Sequence, residues 1–136
     1  TISIRGFSSL SSENAQQIAR SAASALKQSL RRLDLMFCGK TDGEFLAILT
    51  ETSAEVAEIV AKRVQKTFAK QNEKFDFINS NNLKMYIGSA AYPVDATHGA
   101  GLLEKSRESL HQAINENVEF KSYGAIGNGS KGEKHE

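Results

Sequence analysis

One group of chemically capable side chains in this sequence is Arg31-Arg32-Leu33-Asp34. An arginine fork can donate two parallel hydrogen bonds to a planar acceptor pair or to a phosphate, and a carboxylate can accept from a matching pair of donors. The same tetrapeptide also reads as ordinary helix-end charge followed by an acid where a strand begins. A further arginine, Arg63, falls on a predicted helix, where a solvated surface position accounts for it equally well. Asp42 and Glu44 stand in a glycine-containing link and read as turn residues, with a residual metal site as the weaker alternative. His98, His111 and His135 show no ligand spacing with one another or with Cys38, so no metal site is expected from them. Cys38, the single cysteine, cannot form an internal disulfide. It lies in an apolar run and is expected to be a small buried hydrophobe.

These side chains depend on the elements that carry them. Residues 1–7 (TISIRGF) alternate apolar and polar side chains, the period of a half-buried strand. A serine-rich connection at 8–12 suits helix capping. From 14 to 32, Ala15, Ile18, Ala19, Ala22, Leu26 and Leu30 mark one helical face, with Arg31 and Arg32 in the last turn, where cations are favoured. Residues 33–38 and 45–49 read as two strands joined by the turn-forming link 39–44, a β-hairpin. Thr52-Ser53-Ala54-Glu55 is a capping box, and Val56, Ile59, Val60, Val64 and Phe68 form the stripe of the helix it opens. Residues 71–82 are polar and irregular. Residues 83–92 form a strand closed by Pro93, 101–117 a third helix with Leu102, Leu103, Leu110, Ala113 and Ile114 inward, and 118–123 a short last strand. Residues 124–136 hold too few apolar side chains to fold and are expected to be a disordered tail.

The order β-α-β-β-α-β-α-β predicts an α+β fold, helices packed on a mainly antiparallel sheet, in one domain over residues 1–123 without internal repeats. The 136 residues fit one core, and 40% hydrophobic with 24% charged residues is an ordinary globular balance. Seventeen basic against sixteen acidic side chains, net +1, give no global field that favours nucleic acid or an anionic membrane. No apolar run approaches a membrane span and no signal peptide opens the chain, so a cytoplasmic setting is expected. Because Thr1 is already inside a strand-like run, the sequence reads as part of a longer protein.

Several segments, in this order, resemble the GGDEF (diguanylate cyclase) domain family. They are Thr41-Asp42-Gly43-Glu44-Phe45-Leu46-Ala47-Ile48-Leu49 at the signature hairpin, Tyr86-Ile87-Gly88-Ser89-Ala90-Ala91-Tyr92-Pro93, Leu102-Leu103-Glu104-Lys105-Ser106 and Ser109-Leu110-His111-Gln112-Ala113. The resemblance covers about residues 1–123. It implies a domain of the class that joins two GTP molecules into cyclic di-GMP, with metal held by an aspartate of the first strand and an acid of the hairpin. Here Ser3 aligns with that aspartate, Arg5 stands two residues on, and Ser8 replaces a phosphate-binding lysine. In the hairpin, Thr41 and Asp42 replace the two glycines and Gly43 the acid. In the other alignment Lys40 and Thr41 replace the glycines and Asp42 is the acid. The resemblance therefore implies a degenerate signature (Thr41, Asp42, Gly43, Glu44, Phe45) without catalytic or metal-binding residues and without a cofactor.

Arg31-Arg32-Leu33-Asp34 matches the family's Arg-x-x-Asp inhibitory site, where cyclic di-GMP binds. Arg63 sits where another helix supplies a second arginine to the same ligand. Arginine suits guanine O6 and N7, and aspartate suits guanine N1–H and its amino group. The implied function is a non-catalytic bacterial second-messenger receptor that binds cyclic di-GMP through Arg31, Asp34 and Arg63. Its partners would be attached domains, another protein or a second copy of itself. The rival is a nucleotide-independent interaction or dimerisation module, and an active cyclase is the weakest alternative.

Overall fold

Alternation, capping and turn chemistry produce eight elements. The computed structural model of the chain describes residues 1–6, 10–41, 43–75 and 83–125. Strand β1 (Ile2–Arg5) leads to α1 (Ser12–Ser29), followed by β2 (Leu35–Cys38), β3 (Glu44–Ile48), α2 (Ala54–Asn72), β4 (Lys84–Ser89), α3 (Gly99–Glu116) and β5 (Phe120–Ser122). The five strands form one sheet in the order β2-β3-β1-β4-β5. All neighbours are antiparallel except β4 and β5, which α3 joins as a parallel pair. This is the predicted α+β architecture.

The sheet divides the core in two. Ile2 and Ile4 of β1, Phe45 of β3 and Met85 and Ile87 of β4 belong to one cluster, where Ile18, Ala22, Ala25 and Leu26 of α1 and Ala61, Val64 and Phe68 of α2 cover them. Tyr86 of β4 packs instead under Leu110 and Ala113 of α3. Period two along the strands thus meets period 3.6 along the helices. Gly88 lets α3 come close. A Cβ there would lie 2.1 Å from the Leu110 nitrogen and 2.5 Å from the Ser106 oxygen, so only glycine fits. Buried Ser106, Ser109 and Ala113 keep the facing side of α3 small.

The helix boundaries differ from the predicted ones for identifiable reasons. Helix α1 starts after Ser11, whose hydroxyl accepts from the Asn14 N–H, and ends at Ser29, so Arg31 lies beyond its last turn. Helix α2 is capped by Ser53, which accepts from the Val56 N–H, one residue later than predicted. This releases Thr52 for another use. Helix α2 also runs on to Asn72, whose amide oxygen accepts from the Ser21 hydroxyl at 2.8 Å between the two helices. Val56 and Ile59 are exposed, because the packed face of α2 centres on Ala61, Val64 and Phe68 and the predicted stripe drifts off it. Cys38 is exposed as well, since β2 is the edge strand and lies mostly outside the helix layer. The predicted tail falls largely outside the described residues; Gly124 and Ala125 belong to a short helical turn over 123–125.

Candidate functional site

The Arg31–Asp34 pair occupies a corner where two turns meet. Helix α1 ends as Leu30 leaves the helical region, with ψ near 150°, and the chain then turns into β2. The second turn, between β3 and α2, carries Glu51 at φ 49°, a left-handed conformation uncommon for a residue with a side chain. That reversal puts the Thr50 carbonyl and the Thr52 hydroxyl together, the hydroxyl donating to the carbonyl at 2.9 Å.

Arg31 closes the corner. Its Nε donates to Asp34 Oδ2 at 3.2 Å and its Nη2 to Asp34 Oδ1 at 3.2 Å, the fork geometry of a bidentate pair. Nη2 also donates to Thr52 Oγ1 at 3.0 Å and, by a short contact, to the Thr50 carbonyl. Nη1 has no protein partner among the described residues. The Asp34 carboxylate further accepts from the Arg31 N–H at 2.9 Å and the Thr50 N–H at 3.0 Å, while the Thr50 hydroxyl donates to the Leu33 carbonyl at 2.9 Å. Only 4% of the Asp34 side chain is open to solvent, against 55% for Arg31.

The electrostatics follow from these contacts. Burial pushes the Asp34 carboxyl up. Hydrogen bonds from the Arg31 side chain, the Arg31 and Thr50 N–H groups and the Arg31 charge outweigh it and hold the group below the ordinary range. Arg31 is raised by its hydrogen bond to Asp34 and by that residue's charge, with a smaller contribution from Glu51. The corner therefore holds an anchored, half-exposed cation with one guanidinium nitrogen unengaged among the described residues. Asp34 is its anchor in this structure, with both carboxylate oxygens engaged.

Arg63 is not brought to this corner. It is exposed on α2, nine residues past the first, which at 1.5 Å per residue is about 14 Å along the axis from the start of the helix, the end nearer Thr52. An apolar cavity of about 630 Å³ opens beside the corner, with Leu26, Leu30, Thr52, Val64 and Leu102 in its wall.

The predicted signature hairpin lies at the other end of β3. Ser3 is buried on β1 directly opposite Glu44, so the first strand and the hairpin do meet. Gly43 takes φ 84°, and its carbonyl accepts from the Ile4 N–H at 2.8 Å. The Glu44 carboxylate accepts from the Thr41 hydroxyl at 2.5 Å, so it serves the turn. Phe45 is in the core. Asp42 and Ser8 lie outside the described residues. Among the described residues no three of His, Cys, Asp and Glu gather at one point. His98 acts structurally, its Nδ1 capping α3 by accepting from the Gly101 N–H at 3.1 Å.

Sequence reasoning missed Thr50 and Thr52 as partners of Arg31. The only signal for them was a threonine pair just before a helix, and it was absorbed into the capping prediction.

Comparison with known proteins adds to this geometry. The sequence model described as diguanylate cyclase, GGDEF domain, matches residues 12–119. Comparison with curated proteins found no match. Among solved structures, an EAL/GGDEF domain protein from M. capsulatus superposes with a TM-score of 0.70 at 15% identity, covering 90% of this chain and 81% of that one, a likeness of fold.

Proposed function

Since this chain belongs to the GGDEF domain family, we propose that it is a signalling domain that binds cyclic di-GMP at the Arg31–Asp34 corner and does not synthesise it. The observation that carries this reading is the state of Arg31: anchored through Nε and Nη2, half exposed, with Nη1 unengaged among the described residues. A guanidinium already held in place loses little freedom when a base stacks on its face or a phosphate meets its open edge. Asp34 orients Arg31 before binding. To accept from guanine N1–H and the amino group it must exchange its bonds to Arg31. Arg63, about 14 Å along α2 from the helix start, would join the same ligand from a second copy of the domain.

The absence of synthesis rests on Ser3, which offers no carboxylate on the first strand, on the loss of both hairpin glycines in either alignment, and on Glu44, which is tied to Thr41. Losing a metal ligand or a phosphate contact costs roughly 10²–10³-fold in rate apiece. We read the domain as working in the cytoplasm, changing how it packs on attached domains or a partner when the ligand binds. No described helix is long and apolar enough to cross a membrane.

A second reading has its own observation. The Asp34 carboxylate is saturated, as in a purely structural latch between two turns, which fits an interaction module that binds no nucleotide. Titration calorimetry with cyclic di-GMP and with GTP separates the two. The receptor reading expects heat with cyclic di-GMP, lost in Arg31→Ala and weakened in Arg31→Lys, which keeps the charge without the fork. No heat at millimolar ligand leaves the interaction module.

A further inference from the structure

The outward face of α2 combines two unusual features. With 3.6 residues per turn and Ala61, Val64 and Phe68 buried, the direction facing away from the core passes through Glu55, Ile59, Lys62, Lys66 and Lys70, with Val56 and Arg63 on one flank. Ile59 stands at the centre of this face with 59% of its surface exposed, and Val56 beside it with 48%. The charges are separated along the axis: Glu55 and Glu58 near the start, Lys62, Arg63, Lys66 and Lys70 beyond. Of these four cations only Lys62 has an ion-pair partner among the described residues, Glu58 at 3.0 Å. Acids first and bases last also complement the helix dipole, so the order of charges alone proves little. The dipole gives no reason for an isoleucine at the centre of the solvent face.

We propose that this face is a contact between two copies of the chain, with the α2 helices packed antiparallel about a two-fold axis at Ile59. The pattern is self-complementary only in that arrangement. Ile59 meets Ile59 of the second copy, and Glu55 falls between Lys62 and Lys66 of the second copy. Val56 lies along the aliphatic stem of the opposing Arg63. Ile59 meets its own copy on the axis and every contact off the axis occurs twice, as an isologous interface requires. Moving the axis toward the middle of the helix would set Lys62 and Arg63 against their own copies, so charge selects the register. One helix face from each copy falls below the roughly 1,200 Å² typical of stable specific interfaces. The dimer is therefore weak, in the micromolar range, and needs no nucleotide.

Sedimentation equilibrium of the full chain without nucleotide, in a concentration series reaching millimolar, tests the contact. The wild type is expected to pass from monomer to dimer, and Ile59→Asp to stay monomeric throughout. Glu55→Lys should weaken association by about tenfold, and adding Lys62→Glu and Lys66→Glu to it should restore association by reversing both halves of the pattern. Circular dichroism checks that each variant is folded. Independently of those variants, Ile59→Cys in a Cys38→Ser background should oxidise to a disulfide-linked dimer, because the axis brings the two copies of position 59 together. A wild type that remains monomeric, a dimer indifferent to Ile59→Asp, or an Ile59→Cys variant that gives no linked dimer overturns the proposal. Since nucleotide is absent throughout, none of these results bears on cyclic di-GMP binding.

Discussion

Replacing Gly88 by alanine tests how closely the helix on the second face is seated. The added Cβ would lie 2.1 Å from the Leu110 nitrogen, 2.5 Å from the Ser106 oxygen and 2.6 Å from the Leu110 Cα. All are backbone atoms, so no rotamer change relieves the clash, and ordinary contact begins only near 3.4 Å. Helix α3 must therefore shift by about 1 Å along the contact. That loosens Leu110 and Ala113 over Tyr86 and the Ser109 hydroxyl, which donates to the Ser89 carbonyl at 3.2 Å. Overpacking costs about 1–3 kcal/mol where side chains can adjust, and an obstacle made of backbone belongs at the upper end. At roughly 3–5 °C per kcal/mol for a domain of this size, the melting midpoint should fall by about 10–15 °C. The matched control is Gly99→Ala, where a Cβ would meet nothing within 4 Å and α3 should gain slightly. Thermal melts followed by circular dichroism, with urea midpoints alongside, measure both. A Gly88→Ala midpoint within a few degrees of wild type would refute the reasoning.

The remaining expectations concern the corner, the cap and the hairpin. Asp34 is held below its ordinary range when folded, so its stabilising contribution is present above the unfolded carboxylate range, near ~4. It is lost as pH falls through the lowered folded value; urea midpoints from about pH 6 down to about pH 3 should therefore show a shallower acid limb in Asp34→Asn, and identical slopes would count against the pair. His98→Asp keeps an acceptor for the Gly101 N–H and places an acid at the cap of a helix whose first turn has none, so it should stabilise by about 0.5–1 kcal/mol in thermal melts. Ser3→Asp alone should yield no cyclic di-GMP from GTP with magnesium or manganese, because residues that act as a unit fail as a unit. Product formation by that variant would show that the other substitutions matter less than the geometry suggests.

The fold was legible because its elements carry strong local signals. Ser11 and Ser53 sit ahead of amphipathic runs, Gly43 permits the hairpin turn, and strand alternation sends Ile2 and Ile4 to one face and Ser3 to the other. The pairing of Arg31 with Asp34 was half legible. The tetrapeptide announces two groups at turn distance, whereas Thr50 and Thr52 arrive through the left-handed Glu51, and backbone reversal at a glutamate leaves no mark in a sequence. Cys38 was misplaced because apolar neighbours imply burial only where an element is covered, and position in the sheet is a tertiary property. Ile59 was assigned inward for a related reason: at i, i+3 spacing, a residue near the helix start can continue the stripe or stray from it.

The helix layer is fastened at both ends. Near the end of α2 the Ser21 hydroxyl donates to Asn72 Oδ1 at 2.8 Å, shared with Gln71 Oε1 at 3.1 Å. Just past the end of α1, Arg31 ties its turn to Thr52 ahead of α2. Between the two fastenings lie apolar side chains, Ala22 and Leu26 with Ala61 and Val64, which by themselves would allow the helices to slip. Sliding one helix past the other by a turn, about 5.4 Å, would break both polar joints at once. The pair is thus locked in register, and a displacement applied at one helix must carry the other with it as a rigid plate over the sheet.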